Sequence, residues 1–173
     1  MDELDELAAL HADERVWLHR PDGRHVSVEY SRAKVAEMEQ QWSRDGLGYW
    51  VARLGQPIAG VSADTFVGVG GCAVEASGDW WNLYYRLRPE LHGHGFATEI
   101  CHAALAAAHS VCAERPVLAN LLEENRASKA TAERAGLQLQ WRGHGRGSPA
   151  AVRLIYADRP LDADQLAAVV SHI

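Results

Sequence analysis

The sequence has few cysteines, no long apolar run and no general excess of positive charge, and each shortage excludes a class of protein. Three cysteines among 173 residues cannot form a closed set of disulfides. If the segment holding Cys101 and Cys112 is helical, these residues lie about 16 Å apart, so we expect reduced thiols in the core. No stretch approaches the ~18 apolar residues of a membrane-spanning helix, which excludes an integral membrane protein.

Negative charge is concentrated at the N-terminus. Six of the 23 acidic residues precede Arg15, the first basic residue, and the remaining 17 balance the 17 Lys and Arg. The rest of the chain is therefore neutral and lacks the basic stripe that nucleic-acid binding requires. The N-terminus also has no basic segment followed by an apolar one, so we expect no secretion signal, no membrane partner and a cytoplasmic protein.

The length and the hydrophobic periodicity predict one globular domain over residues 1–173. A chain of this size with 47% hydrophobic residues can bury a core that needs no disulfide or metal. The order of elements predicts a layered α/β (α+β) domain. The predicted helices are 2–10, 31–45, 96–113, 125–135 and 162–172, and the predicted strands are 49–54, 66–75, 80–88, 117–122, 137–141 and 152–156.

The strand predicted at 80–88 alternates between an apolar and a polar face. Trp81, Leu83, Tyr85 and Leu87 lie on one face, and Trp80, Asn82, Tyr84, Arg86 and Arg88 lie on the other. Asn82 and Tyr84 are candidates for orienting a substrate, and buried packing is an equal alternative. Three segments have no regular pattern: 58–64 stays unassigned, 77–79 is a predicted turn and 143–147 is a predicted mobile loop.

A glycine-rich turn, His92-Gly93-His94-Gly95-Phe96-Ala97, joins this strand to the long helix that follows. Glycine lets the backbone approach a ligand closely, and the first turn of a helix has unpaired N–H groups at its positive end. We therefore predict an anion cradle that fits a diphosphate, and the alternative is a tight turn. A dinucleotide-binding fingerprint would need a glycine at Thr98 and a P-loop would need Gly-Lys-Ser/Thr, so neither is present.

The run from Leu87 to Glu99 resembles the acyl-CoA pyrophosphate loop of the GNAT acetyltransferase superfamily. Asn125-Arg126-Ala127-Ser128 and Arg134-Ala135-Gly136-Leu137 resemble the downstream Asn-x-x-Ser and Gly-Phe elements of that superfamily. The resemblance spans about residues 47–157 and is closest to the RimJ/RimL branch, which acetylates the N-termini of ribosomal proteins. It implies the GNAT fold, a mixed and mostly antiparallel sheet with helices on both faces.

The resemblance also implies a function. The protein would transfer the acetyl group of acetyl-CoA to a primary amine of a peptide N-terminus, a polyamine or another small molecule, without a metal. Backbone amides of the glycine-rich turn would hold the pyrophosphate, the strand before it would pair with the pantetheine, and Ser128 would lie near the thioester sulfur. The implied cofactor-binding residues are Tyr85, Leu87, Arg88, His92, Gly93, His94, Gly95, Phe96, Ala97, Asn125 and Ser128.

Three features depart from the family pattern. His92 stands where Gln or Arg is common, so anion binding would weaken as the pH rises. Ala132 stands where many members have a tyrosine acid. The usual strand ahead of the first helix has no counterpart, so we expect a sheet without that edge strand, and an exposed edge would favour a homodimer.

Catalysis needs a base for the amine and a proton source for the departing thiolate. Glu75, near a strand end, is the candidate base, with a solvated loop acid as its alternative and a water relay as its rival. Ser128, water or another group would protonate the thiolate. Since no base is compelling, a non-catalytic acyl-CoA-binding sensor or interaction module is the alternative function. His109 and Cys112 have helical spacing without a further ligand in register, so we predict no zinc site.

Overall fold

The computed structural model describes residues 3–58, 60–75, 79–145 and 148–173. Its helices are α1 (Glu3–Ala12), α2 (Val28–Asp45), α3 (Phe96–Val111), α4 (Arg126–Arg134) and α5 (Ala163–Ser171). Its strands are β1 (Tyr49–Arg53), β2 (Phe66–Val74), β3 (Trp81–Leu87), β4 (Val117–Leu122), β5 (Gln138–Gly145) and β6 (Ser148–Ala157). Short 3-10 helices occupy Glu14–Trp17, Pro21–Gly23 and Pro89–Leu91.

The six strands form one mixed sheet in the order β1-β2-β3-β4-β6-β5. All neighbours are antiparallel except β3 and β4, which run parallel. Among the described residues no strand precedes α1 and α2, and β1 lies at one edge of the sheet. The predicted fold class, a mostly antiparallel α/β sheet without the first edge strand, is therefore confirmed.

The sheet is covered on both faces, and each face has its own core. On the first face, α3 and α4 contribute Cys101, Ala104 and Ala132 to the cluster around Trp81. On the second face, α1 and the 3-10 helix Glu14–Trp17 pack against β2, and α5 packs farther along the sheet. No helix in the described part of the chain is long and apolar enough to cross a membrane.

The parallel pair at the centre of the sheet separates early. β3 and β4 pair only at Trp81 with Val117 and at Asn82 with Leu118. Both strands continue beyond this point, to Leu87 and to Leu122, without pairing with each other. The sheet therefore has a central gap flanked by unpaired strand edges, which can accept hydrogen bonds from another chain or ligand.

The glycines of β2 allow another element to approach that strand closely. A Cβ atom on Gly70 would lie 2.6 Å from Cγ2 of Ile100 on α3. Since that distance is far below van der Waals contact, the absence of a side chain lets α3 lie directly on the sheet. This contact brings the first turn of α3 next to the end of β3.

Two helix predictions are corrected. α2 begins at Val28 rather than after Ser31, because Ser27 is an equally good cap and its Oγ accepts the N–H of Tyr30. Ser31 is instead fully buried. α3 ends at Val111 rather than at residue 113, and Val111 is 47% exposed whereas Ala108 is buried.

The predicted loop at 143–147 is also wrong in part. Gly143 and Gly145 belong to β5 and pair with Arg153 and Ser148 of β6, because hairpin pairing satisfies their backbone groups. Residues 146 and 147 lie outside the described residues, as do two of the three residues of the predicted turn at 77–79. In the unassigned segment, Ile58 and Val61 form a short antiparallel bridge.

Candidate active site

A cavity of about 780 Å³ lies at the gap between β3 and β4. The second half of β3, the glycine-rich turn and α3 line one side, and the start of α4 lines another. The segment 15–19 closes it from the second face of the sheet. Segments from both faces of the sheet therefore line the cavity.

The glycine-rich turn has the backbone geometry that the sequence predicts. Gly93 and Gly95 have φ angles of +83° and +86°, which residues with a Cβ rarely adopt, and the space next to each is empty. Gly95 caps α3 without a side chain that could accept its first N–H groups. These N–H groups border the cavity with a positive potential, which is the arrangement an anion requires.

The predicted side chains of this turn differ in whether they line the cavity. His92 is exposed, lines the cavity, and its Nε2 donates to the carbonyl oxygen of Leu87 at 3.3 Å. His94 and Arg88 lie outside the described cavity lining. Arg88 forms an ion pair of 3.6 Å with Glu90. Phosphate contacts by these two side chains stay predictions.

Asn125 and Ser128 lie together at the start of α4 and line the cavity. Oδ1 of Asn125 accepts the backbone N–H of Ser128 at 3.0 Å, so the asparagine caps the helix. Its side-chain nitrogen has no hydrogen-bond partner among the described residues. That nitrogen is the group available to donate to a ligand.

The hydroxyl of Tyr85 lies at the same side of the cavity as Asn125 and Ser128. It donates to Oγ of Ser128 at 3.3 Å, and burial raises the pKa of the phenol above its ordinary value, although hydrogen bonds with Ser128 and Thr131 oppose this. The sequence placed Tyr85 on the apolar face and assigned a role to its main chain only. Alternation along a strand predicts the face of the sheet on which a side chain lies. It does not predict which helix the end of that side chain contacts.

Asn82 and Tyr84 lie on the second face and outside the described cavity lining. Nδ2 of Asn82 donates to the hydroxyl of Tyr49 at 2.9 Å. The hydroxyl of Tyr84 lies 3.1 Å from Nε2 of His11, and Arg86 Nε lies 3.3 Å from the same hydroxyl. These contacts favour the packing alternative, and substrate orientation by either residue stays a prediction.

His11 is a site neighbour that sequence reasoning missed, since the predicted first helix ended at residue 10. Its Nδ1 donates to the carbonyl oxygen of Leu7 at 2.9 Å, so Nε2 accepts the hydroxyl proton of Tyr84. Its ring stacks on His25 at 4.3 Å between ring centres. Burial lowers the pKa of His11 to about 4, so its ring is neutral at pH 7.

Glu75 follows the end of β2 as an exposed side chain. It lies outside the described cavity lining. Burial chiefly raises the pKa of Tyr49, and the charge of Glu75 contributes to a lesser extent. Its role as a base stays a prediction. Within the described ranges no three His, Cys, Asp or Glu side chains converge on one point.

Known structures share this architecture. An acetyltransferase from Agrobacterium tumefaciens is 20% identical and has a TM-score of 0.71, with coverage of 91% of this chain and 85% of that one. RimL, a ribosomal L7/L12 alpha-N-protein acetyltransferase in complex with coenzyme A, is 21% identical at a TM-score of 0.69, with coverage of 95% and 93%. The yncA protein of Salmonella typhimurium with its cofactor acetyl-CoA is 14% identical at 0.68, with coverage of 94% and 92%. Because these sequence identities are low, the similarity to these structures shows the fold of the chain and nothing further.

The family is shown by the sequence itself. The profile of the acetyltransferase (GNAT) domain matches residues 1–138, well over half of the chain. No curated protein matches the sequence. The chain therefore belongs to the GNAT acetyltransferase domain family, as its glycine-rich turn and its Asn-x-x-Ser motif predicted.

Proposed function

We propose that this acetyltransferase transfers the acetyl group of acetyl-CoA to a primary amine. The observation that carries the proposal is the cavity at the central gap, where the open N–H groups of α3 and the unpaired edge of β3 face the same space. Acetyl-CoA supplies an acetyl group activated as a thioester. The acceptor amine reaches it through the gap, and residues 1–173 act as one domain.

The residues that would hold acetyl-CoA follow from this geometry. The N–H groups from Gly93 to Ala97 bind the pyrophosphate, because they are unpaired and lie at the positive end of α3. The edge of β3 from Tyr85 to Leu87 that faces away from β2 binds the pantetheine in the manner of an added strand. The side-chain nitrogen of Asn125 donates to the same arm.

Tyr85 and Ser128 supply the proton that the departing thiolate needs. Because the Tyr85 hydroxyl donates to Oγ of Ser128, the hydroxyl hydrogen of Ser128 is free to point into the cavity. Ser128 gives this hydrogen to the sulfur and receives the phenolic hydrogen of Tyr85 in its place. The raised pKa of Tyr85 keeps the phenol protonated at neutral pH. The pair thus replaces the tyrosine acid missing at Ala132.

The amine must also lose a proton, either to Glu75 or to a chain of water molecules. Glu75→Gln separates the two, because a fall in kcat of a hundredfold or more with unchanged coenzyme binding assigns the base to Glu75. An unchanged kcat assigns it to water. Glu114→Gln, another exposed carboxylate, is the matched control.

The acceptor belongs to one of three classes, a peptide N-terminus, a polyamine or another small amine, and we propose that the enzyme is cytoplasmic. The likeness to RimL supports the first class. The release of free coenzyme A thiol is measured with amines of all three classes. The binding of coenzyme A is measured separately by calorimetry. Turnover of any amine supports the proposal. Saturable binding without turnover supports the alternative, a non-catalytic acyl-CoA-binding module.

A further inference from the structure

The ionisable side chains of the cavity are all of one kind, since each is a cation or becomes one on protonation. Those that line it are Arg15, His19, Arg86, His92 and Arg134, and no Asp or Glu is among the described lining residues. The phosphates of coenzyme A account for only part of this pattern, because under the proposed function they lie at the turn before α3. The three arginines lie on different elements, so each is considered separately.

Two of the three arginines have another explanation. Nη2 of Arg15 forms ion pairs of 2.6 Å with both Asp13 and Glu90, so its charge is neutralised within the chain. Arg134 is the last residue of α4, on the first face of the sheet, which is the side assigned to the coenzyme. Neither explanation applies to Arg86.

Arg86 lies half-buried on β3 without a carboxylate partner. None of the ion pairs in the described part of the chain includes it. Its Nε donates to the hydroxyl of Tyr84 at 3.3 Å and its Nη1 donates to the carbonyl oxygen of Val16, and both acceptors are neutral. Its Nη2 forms no hydrogen bond with the described residues. An uncompensated guanidinium with free N–H groups therefore borders the cavity.

The guanidinium of Arg86 is held in one orientation. It stacks on the ring of Trp17, with its central carbon 3.9 Å from the ring centre. Trp17 is buried, and its Nε1 donates to the carbonyl oxygen of His11 at 2.7 Å. A side chain that is positioned before the ligand arrives loses little conformational entropy on binding. The contacts of Arg86 therefore favour binding of an anion as well as fixing the segment 15–19.

Arg86 lies on the opposite face of the sheet from the groups proposed to act on the thioester. Tyr85, the preceding residue, contacts Ser128 on the first face, and successive side chains of a strand point to opposite faces. Trp17, on which Arg86 stacks, belongs to the cluster on the second face. Arg86 can therefore bind an acceptor at the second face while the coenzyme occupies the first.

We propose that Arg86 binds a carboxylate of the acceptor, which therefore carries both a primary amine and a carboxylate. The inference rests on the proposed function, because it names the acceptor of the same cavity. A guanidinium binds a carboxylate through charge-assisted hydrogen bonds. The carboxylate belongs either to a free amino acid or to an acidic residue of a peptide. A polyamine is disfavoured, because its remaining amines are cationic and the cavity lining has the same sign.

The test compares acceptors in matched pairs. Amino acids are assayed against their amides, and dipeptide amides that contain Asp are assayed against those that contain Asn. The rates are corrected for the fraction of unprotonated amine, which differs between an acid and its amide. We expect kcat/KM to be at least tenfold higher for the carboxylate member of one set, and that set identifies the source of the carboxylate. Equal values in both sets would overturn the proposal.

Substitutions assign the preference to Arg86. Arg86→Gln keeps a polar side chain without the charge, so it should reduce the carboxylate preference to below threefold and leave the KM for acetyl-CoA within twofold. Arg86→Lys keeps the charge without the paired N–H donors, so it should retain a smaller preference, and it carries the test if Arg86→Gln does not fold. Arg32→Gln, at an exposed position on α2, is the matched control and should keep the full preference.

Two results with these variants would overturn the proposal. A lower thermal midpoint with an undiminished carboxylate preference would show that Arg86 only fixes the segment 15–19. A raised KM for acetyl-CoA with an undiminished preference would assign Arg86 to the phosphates of the coenzyme.

A readout without turnover keeps the inference separate from the proposed function. The thermal midpoint of the protein loaded with coenzyme A is measured with the N-acetylated members of both sets. Stabilisation by the acids alone, lost in Arg86→Gln and kept in Arg32→Gln, supports the carboxylate site even if no amine is acetylated. Equal stabilisation by acids and amides, or none by either, contradicts it.

Discussion

The hydroxyl of Tyr85 lies 3.3 Å from Oγ of Ser128 and joins β3 to α4 across one wall of the cavity. Ala132, the position at which the family resemblance led us to expect a tyrosine acid, is 3% exposed and packs into the core. A phenol is therefore present at the cavity although the helix does not supply it. Substitution of Tyr85 can therefore test whether its hydroxyl takes part in the reaction.

Tyr85→Phe should lower kcat by tenfold to a hundredfold and leave the Kd for coenzyme A within twofold, because the ring still packs and only the proton is lost. Ser128→Ala should have a similar effect. Since both residues act on one proton, the double variant should be no slower than the slower single variant. Steady-state kinetics and calorimetry measure these quantities.

The control for this pair is Tyr156→Phe. Tyr156 is a buried tyrosine that bonds to Glu133 and lies outside the described cavity lining, so its loss should lower stability and spare kcat. Multiplied losses in the Tyr85 and Ser128 double variant would contradict a shared proton. An equal loss of kcat in Tyr156→Phe would mean that the effect is structural.

Asn125 has two roles that substitutions can separate. Asn125→Ala removes both the cap of α4, worth about 1 kcal/mol, and the nitrogen that faces the cavity. Asn125→Ser keeps a capping oxygen and removes only the nitrogen. We expect both variants to bind coenzyme A more weakly by a similar factor of about tenfold, and only the alanine variant to lose thermal stability. Unchanged binding in Asn125→Ser would show that the side chain acts as a cap alone.

Gly95→Ala tests the backbone of the glycine-rich turn. The φ angle of +86° is unfavourable for alanine by about 1–2 kcal/mol. Because the added methyl group meets no atom, any loss comes from the backbone and not from a clash. We expect a lower thermal midpoint and weaker coenzyme binding. Gly95→Asn should lose less stability, since asparagine tolerates this region better.

Gly55→Ala is the control for the turn. A Cβ atom there also meets no other atom, and the φ angle lies outside the positive range. Stability and coenzyme binding should therefore stay as in the parent chain. If Gly95→Ala binds coenzyme A as tightly as Gly55→Ala, the turn is not the pyrophosphate site.

The order of elements and the glycine-rich turn could be predicted because their signals are local. Alternation placed Asn82 and Tyr84 on one face of β3, and the spacing of Asn125 and Ser128 placed both on one helix start. The contact of Tyr85 with Ser128 could not be predicted in this way. It depends on where β3 and β4 separate and on which segment closes over the gap, and no local pattern specifies that separation.

Helix ends were less predictable than helix positions, for a physical reason. Ser27 and Ser31 can both cap a helix, and only the packing of the N-terminal segment decides between them. Ser31 is buried because its Oγ lies 2.8 Å from Nδ1 of His25. A tertiary contact therefore moved the start of α2 by one turn.

His11 gives the fold a pH dependence whose direction follows from its environment. Its pKa falls from the ordinary value near 6.5 to about 4 in the folded protein, chiefly by burial, with smaller contributions from the charges of His25 and Arg86. Between these pH values the unfolded chain binds more protons, so stability rises with pH. The contribution of His11 is complete above pH 6.5 and is lost as the pH falls to about 4. It amounts to about 3 kcal/mol.

Urea unfolding at pH 4.5, 5.5 and 7 measures this dependence. The free energy of unfolding should fall steeply below pH 6.5 in the parent chain and less steeply in His11→Gln, which keeps a polar side chain but cannot titrate. His25, whose pKa burial also lowers, adds to the slope in both proteins. Equal slopes would mean that His11 has the same pKa in the folded and unfolded states, and an NMR titration of its ring checks this directly. Because Nε2 of His11 accepts the hydroxyl of Tyr84, its protonation would reverse the direction of this hydrogen bond and place a buried charge between α1 and β3, so acid should loosen the second face of the sheet first.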